Sequence, residues 1–118
     1  MDRSHKGNSK MDKKDALNIA RQYASIIQSQ YDVMQIFLFG SYSKHTFHRD
    51  SDIDIAVVIK DFENLMEIQL ELMRLRRKID SRIEPHPFRE KDFNISNPIF
   101  YEIMKDGLRI DSQYERQN

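Results

Sequence analysis

The chain of 118 residues contains no cysteine, which excludes disulfide staples and thiolate metal sites. It also lacks a long apolar run. The longest, residues 55–59, falls far short of a bilayer span, so no membrane partner is expected. The opening Met1-Asp2-Arg3-Ser4-His5 has none of the apolar stretch that marks a signal peptide. Neither sign of charge is in excess, with 19 Lys plus Arg against 19 Asp plus Glu; that argues against a general nucleic-acid coat protein. Apolar residues are sparse for a soluble domain at 39%, while charged ones, at 32%, exceed the usual quarter or so. The length fits one domain. These absences together leave a small, soluble, cytoplasmic domain with an economical core.

What is present is ordered punctuation. Residues 1–11 are polar and basic, with Gly7, Asn8 and Ser9 in a row, and read as a disordered, solvated arm ahead of one domain over 12–118. A helix starting at Asp12 or Asp15 is signalled by Ala16, Ala20, Tyr23, Ala24, Ile27 and Tyr31 at spacings of three and four. Val33–Phe39 reads as a strand stopped by Gly40-Ser41. Residues 42–51 leave room for one or two helical turns and a loop. A second strand over 52–59 is nearly all apolar after its first three residues, as suits burial on both faces. Leu65, Ile68, Leu72, Leu75 and Ile79 form one stripe of a second long helix. Residues 81–84 read as a short third strand ended by Pro85, which cannot donate to a ladder. A last helix is predicted over about 97–106, with Gly107 as a left-handed cap and Leu108-Arg109-Ile110 as a small strand. The fold class is therefore α/β (α+β), a small mixed sheet of three to four strands flanked by helices.

The informative stretch is Phe39-Gly40-Ser41, ten intervening residues, then Asp52-Ile53-Asp54. Side chains two apart on a strand share a face, so Asp52 and Asp54 project together, away from Ile53 and Ile55. Two such carboxylates repel unless a cation lies between them, and an oxygen-only set suits Mg2+ or Mn2+ rather than zinc. Gly40 lets the backbone approach a phosphate closely, and Ser41 adds a hydroxyl donor. A triphosphate held there beside metal-binding aspartates meets the requirements of phosphoryl or nucleotidyl transfer.

This two-part motif, with Ser51 before the aspartates, resembles the signature of the DNA polymerase β-like nucleotidyltransferase superfamily, most closely its minimal nucleotidyltransferase (MNT) branch. The resemblance covers nearly all of residues 12–111 and implies the polymerase β-like nucleotidyltransferase fold. It implies Asp52 and Asp54 as catalytic ligands of two Mg2+ or Mn2+ ions, and Gly40 and Ser41 as holders of the β,γ-phosphates of ATP. Ser43 and Lys44 fit the nucleotide-binding positions that follow, whereas His45 replaces a glycine common in the family. A third carboxylate is expected on the next strand, completing one metal site and helping to deprotonate the acceptor. Glu84 is favoured by strand period, with Asp80 as the competitor.

The implied reaction moves AMP from ATP to an acceptor hydroxyl and releases pyrophosphate. Larger relatives build the acceptor pocket with an appended helical domain, so for a chain of this length the resemblance implies an acceptor carried by a separate protein. Minimal family members often act as the antitoxin of a pair with a HEPN-domain ribonuclease toxin, attaching AMP to a tyrosine hydroxyl of that partner. On this resemblance the partner is of HEPN type and the docking face lies on the last helix, around Phe100, Tyr101 and Met104. The alternative is a non-catalytic nucleotide- or toxin-binding module of the same fold. An RNA-directed role through the basic arm is not favoured, and the oligomeric state is left open. His5, His45, His48 and His86 lack zinc-ligand spacing. His86, between Pro85 and Pro87, is a candidate to line the site, and Tyr42 suits either stacking on a base or packing beneath the short helix.

Overall fold

Asp12 opens the first helix with a reciprocal cap. Its carboxylate accepts from the Asp15 N–H, and the Asp15 carboxylate accepts from the Asp12 N–H. Helix α1 (Lys13–Gln30) then buries Ala16, Ala20, Tyr23, Ala24 and Ile27 on one face. Strand β1 (Val33–Phe39), a single turn α2 (Ser41–Lys44) and strand β2 (Ile53–Ile59) follow. Helix α3 (Leu65–Leu75) runs into a 3-10 turn, Arg76–Lys78, before strand β3 (Ile83–Arg89). A second 3-10 turn, Glu90–Asp92, helix α4 (Pro98–Asp106) and the two-residue strand β4 (Leu108–Arg109) complete the order. This computed structural model describes residues 12–44 and 51–112; the basic arm, His45 and His48 lie outside them.

The four strands form one mixed sheet in the order β3-β2-β1-β4. Strand β2 pairs antiparallel with β1 and parallel with β3, while β4 pairs antiparallel with β1. Because β2 is central, both its faces are covered and all its residues except Asp54 are buried. Ile53, Ile55, Val57 and Ile59 join Ile36 and Leu38 of β1 in a cluster with Tyr23, Ile27 and Leu72 of α1 and α3. Ala56 and Val58 join Phe37 and Phe39 on the opposite face, where Phe93 and Ile103 cover them. Each fully buried side chain of this size contributes about 1.5–3 kcal/mol of transfer free energy.

Three expectations need correction. Strand β3 does not end at Pro85; it spans seven residues and includes both Pro85 and Pro87. It lies at the sheet edge, and prolines two apart direct their missing N–H groups to the same, outer side, where no ladder bond is lost. The outward carbonyls there are satisfied from α3 and the turn after it: Gln69 Nε2 donates to Pro85 O (3.0 Å) and Arg76 Nη1 to Ile83 O (2.8 Å). Gly107 is extended rather than left-handed, with φ −72° and ψ 154°. Its N–H still caps α4 by donating to Ile103 O, and a β-carbon there would stand 2.5 Å from that same carbonyl. Close approach, not positive φ, explains this glycine. Finally, the α3 stripe is narrower than its periodicity suggests: Ile68 and Leu72 are buried, but Leu65 at the helix start is exposed.

The other edge is finished by a side chain. Ile110 N donates to Ile36 O, and Ile36 N donates to Oδ1 of Asp111, so the carboxylate continues the ladder where β4 ends. Asp111 is buried, and its charge is balanced by Arg109, whose Nε donates to it at 2.7 Å. No described helix is long and apolar enough to cross a membrane.

Candidate functional site

Strand β1 ends on Phe39, opposite Asp54 of β2, and the chain then turns through Gly40 with φ +79°. Only glycine adopts that backbone without strain. A second demand coincides with the first: the Asp54 carboxylate lies against Gly40 so closely that any β-carbon at position 40 would collide with Oδ2. Sequence spacing brought Gly40 and Asp54 into one motif; the fold puts them in contact.

The turn after Gly40 is held from within. Ser43 N and Lys44 N both donate to Gly40 O at 3.2 Å, and Ser43 Oγ donates to the same oxygen at 3.0 Å. Ser43 is buried, so its hydroxyl serves the turn itself. Ser41 is half-buried at the turn's entrance. Tyr42 is fully buried in the main core, and burial pushes its hydroxyl above the usual tyrosine value. Of the two roles its position suggested, packing beneath the turn is the one adopted. Lys44 reaches Glu102 of α4, Nζ to Oε2 at 3.2 Å, tying the turn to the last helix.

Two of the carboxylates sit side by side at the ends of neighbouring strands. Asp54 and Glu84 are in direct register across the parallel β2–β3 pair, and therefore on one face and about 4.8 Å apart along the ladder direction. Asp52 is exposed and immediately precedes β2, while Ile53 N is anchored to Arg82 O. Glu84 is partly exposed, with Arg76 Nη1 at 3.9 Å from its Oε1. Asp80, the competitor for the third position, is committed elsewhere. Arg82 grips it with Nε and Nη2 at 3.0 and 2.8 Å, and its backbone N–H donates to the same carboxylate. Those side-chain hydrogen bonds hold the Asp80 carboxyl below the usual carboxylate range, against the opposing effect of burial.

One contact exceeds what the sequence suggested. Nε2 of His86 stands 3.0 Å from Oδ1 of Asp54, with the Phe39 ring edge-on to the imidazole at 5.1 Å between centroids. His86 follows Glu84 by two residues and so shares its face. A strand ending at Pro85 leaves His86 without a face, whereas the strand that runs on to Arg89 gives it one. Among the described residues no three acidic or histidine side chains are gathered closely enough to hold an ion by themselves. The donor chemistry nevertheless suits Mg2+, which is typically held by one or two carboxylates plus substrate phosphates and keeps several waters.

Residues 21–116 match the family model described as polymerase beta, nucleotidyltransferase. The protein adenylyltransferase MntA of Shewanella oneidensis is 46% identical over 50 residues, which are 42% of this chain and 35% of that protein. The chain thus matches about a third of the length of this curated relative. Among solved structures, a toxin–antitoxin crystal structure with AMP-PNP is similar with a TM-score of 0.59 and 25% identity, over 85% of this chain and 78% of that one. A structure of the tri-AMPylated Shewanella oneidensis HEPN toxin in complex with MNT antitoxin shares the fold, with a TM-score of 0.51 and 22% identity. That match covers 83% of this chain and 77% of the other.

Proposed function

The chain belongs to the polymerase β nucleotidyltransferase family, and on that premise we propose that it is a metal-dependent enzyme transferring AMP from ATP to a hydroxyl of a partner protein. The observation that carries this reading is the direct register of Asp54 with Glu84, beside a glycine turn whose missing side chain makes room for the Asp54 carboxylate. In this assignment Asp52, Asp54 and Glu84 are the residues that would hold Mg2+ or Mn2+. The bound ion would supply neutralisation of the charge that develops on the transferred phosphoryl group.

The remaining work belongs to the chain's own groups. The Gly40–Ser41 turn binds the β,γ-phosphates, with the Ser41 hydroxyl as a donor and Ser43 keeping the turn closed. Lys44 ends that turn, and a bound triphosphate would compete with Glu102 for its ammonium group. The acceptor oxygen attacks the α-phosphorus, the bond from that phosphorus to the bridging oxygen of the β-phosphate breaks, and pyrophosphate leaves. Glu84 takes up the acceptor proton. Positioning and charge neutralisation provide most of the rate enhancement in such a transfer.

The relatives support a partner of HEPN type and ATP as the nucleotide. One is named a protein adenylyltransferase, one solved complex contains AMP-PNP, and another contains an AMPylated HEPN toxin. The chain would then be the antitoxin of such a pair. A thermal-shift experiment separates this reading from a module that docks a partner without using nucleotide. With Mg2+ and ATP at a hundredfold excess over Kd, binding to the native state adds about 2.7 kcal/mol of apparent stability. An unchanged melting temperature at saturating ATP and Mg2+ would favour the non-catalytic module.

A further inference from the structure

Asp54 is held from two sides. Oδ1 meets His86 Nε2 on β3 at 3.0 Å, and Oδ2 lies against the Gly40 backbone. A carboxylate only accepts, so a neutral His86 carries its proton on Nε2 and donates. Rotation about the last bond of an aspartate is soft, and a single fixed donor removes that freedom. His86 is built to be fixed. Pro85 and Pro87 flank it, and a residue preceding proline is confined to extended backbone. Its ring is half-buried and packs edge-on against Phe39, the residue directly opposite Asp54.

We propose that His86 is a positioning residue of the transferase site, holding Oδ1 of Asp54 so that Oδ2 is presented at the Gly40–Ser41 turn. The inference rests on the transferase reading given above. It adds a residue that acts through Asp54, setting the orientation of the carboxylate assigned to the cation. Outer partners of metal-binding groups typically affect metal affinity or activity about 10–100-fold when removed.

The test uses the full chain and two substitutions. His86→Phe keeps a ring against Phe39 but has no donor, whereas His86→Gln keeps an N–H near the position of Nε2. Mn2+ binding in the presence of AMP-PNP is read by electron paramagnetic resonance, alongside the melting temperature without ligands. Mn2+ affinity is expected to fall about 10–100-fold in His86→Phe and to recover largely in His86→Gln, with similar melting temperatures for both. Long-range 1H–15N spectra of the parent should show the Nε2–H tautomer of His86, shifted by Asp54→Asn. Undiminished Mn2+ affinity in His86→Phe, equal impairment in His86→Gln, or an Nδ1–H tautomer would each overturn the positioning role alone. A parent chain that binds neither Mn2+ nor AMP-PNP would overturn the transferase reading, and the positioning role with it.

Discussion

At Gly40 two physical demands fall on one α-carbon: a backbone at φ +79° and a carboxylate where a β-carbon would be. Gly40→Ala should therefore cost more than backbone strain alone, which is about 1–2 kcal/mol for a left-handed non-glycine residue. The urea midpoint is expected to fall accordingly, and the thermal shift with Mg2+ and ATP to disappear, because Asp54 is pushed off its position. Glu84 and Asp80 are separated by a second substitution pair. Glu84→Gln is expected to abolish AMP transfer, whereas Asp80→Asn should lose stability and retain transfer, since Asp80 is engaged by Arg82. Transfer that survives the first and fails in the second would reverse the assignment. The elements that frame the candidate site are legible in the sequence, because strand period puts Asp54 and Glu84 on matching faces and the Gly-Ser to Asp-x-Asp spacing leaves room for the return from β1 to β2. The His86–Asp54 contact was not, since it requires knowing that the strand continues through two prolines.

Strand β3 shows why such elements are hard to read. A proline ends a strand only if its N–H was needed, and that depends on which strand lies at the edge. Edge position is a property of the whole sheet, absent from any local window. Once β3 is placed outermost, Pro85 and Pro87 become an advantage, leaving the outer edge without two of its donors. Its carbonyls are then answered by Gln69 and Arg76. Arg76→Ala removes a charged donor from Ile83 O and a nearby cation from Glu84. A loss of about 1.5–3 kcal/mol in urea-unfolding free energy is expected. Gly107 follows the same logic: the sequence marked the end of α4 correctly, but the reason for glycine was the crowded Ile103 carbonyl. Amphipathic helices, the central apolar strand and the alternation of elements were legible because each repeats at its own period.

Across the whole molecule, α1 is tied to α3 by two tyrosines. The buried Tyr23 hydroxyl donates to Leu72 O at 2.6 Å, and Tyr31 donates to the Glu71 carboxylate. Burial raises the Tyr23 hydroxyl well above the usual tyrosine value; burial and the Glu71 bond push Tyr31 up to about 12. The native state thus keeps both protons after unfolded tyrosines, with pKa about 10, have lost theirs. Their contribution is intact below that pH and declines as pH rises through it toward the native values. Urea midpoints should fall between pH 9 and pH 11, two values chosen about one unit either side of the free-tyrosine pKa. The decline should be shallower in a Tyr23→Phe, Tyr31→Phe chain. The balanced net charge of the sequence conceals paired carboxylates at one end of the sheet, Asp54 beside Glu84, and the function proposed above joins to them a divalent ion, a nucleotide and an acceptor brought by another protein. The most direct test of that account is mass spectrometry of the protein that co-purifies with this chain, after incubation with ATP and Mg2+. The expected result is AMP attached to a hydroxyl side chain of the partner, absent when Asp52→Asn and Asp54→Asn are combined. A partner left unmodified in a stable complex, or one modified equally by the double variant, would contradict it.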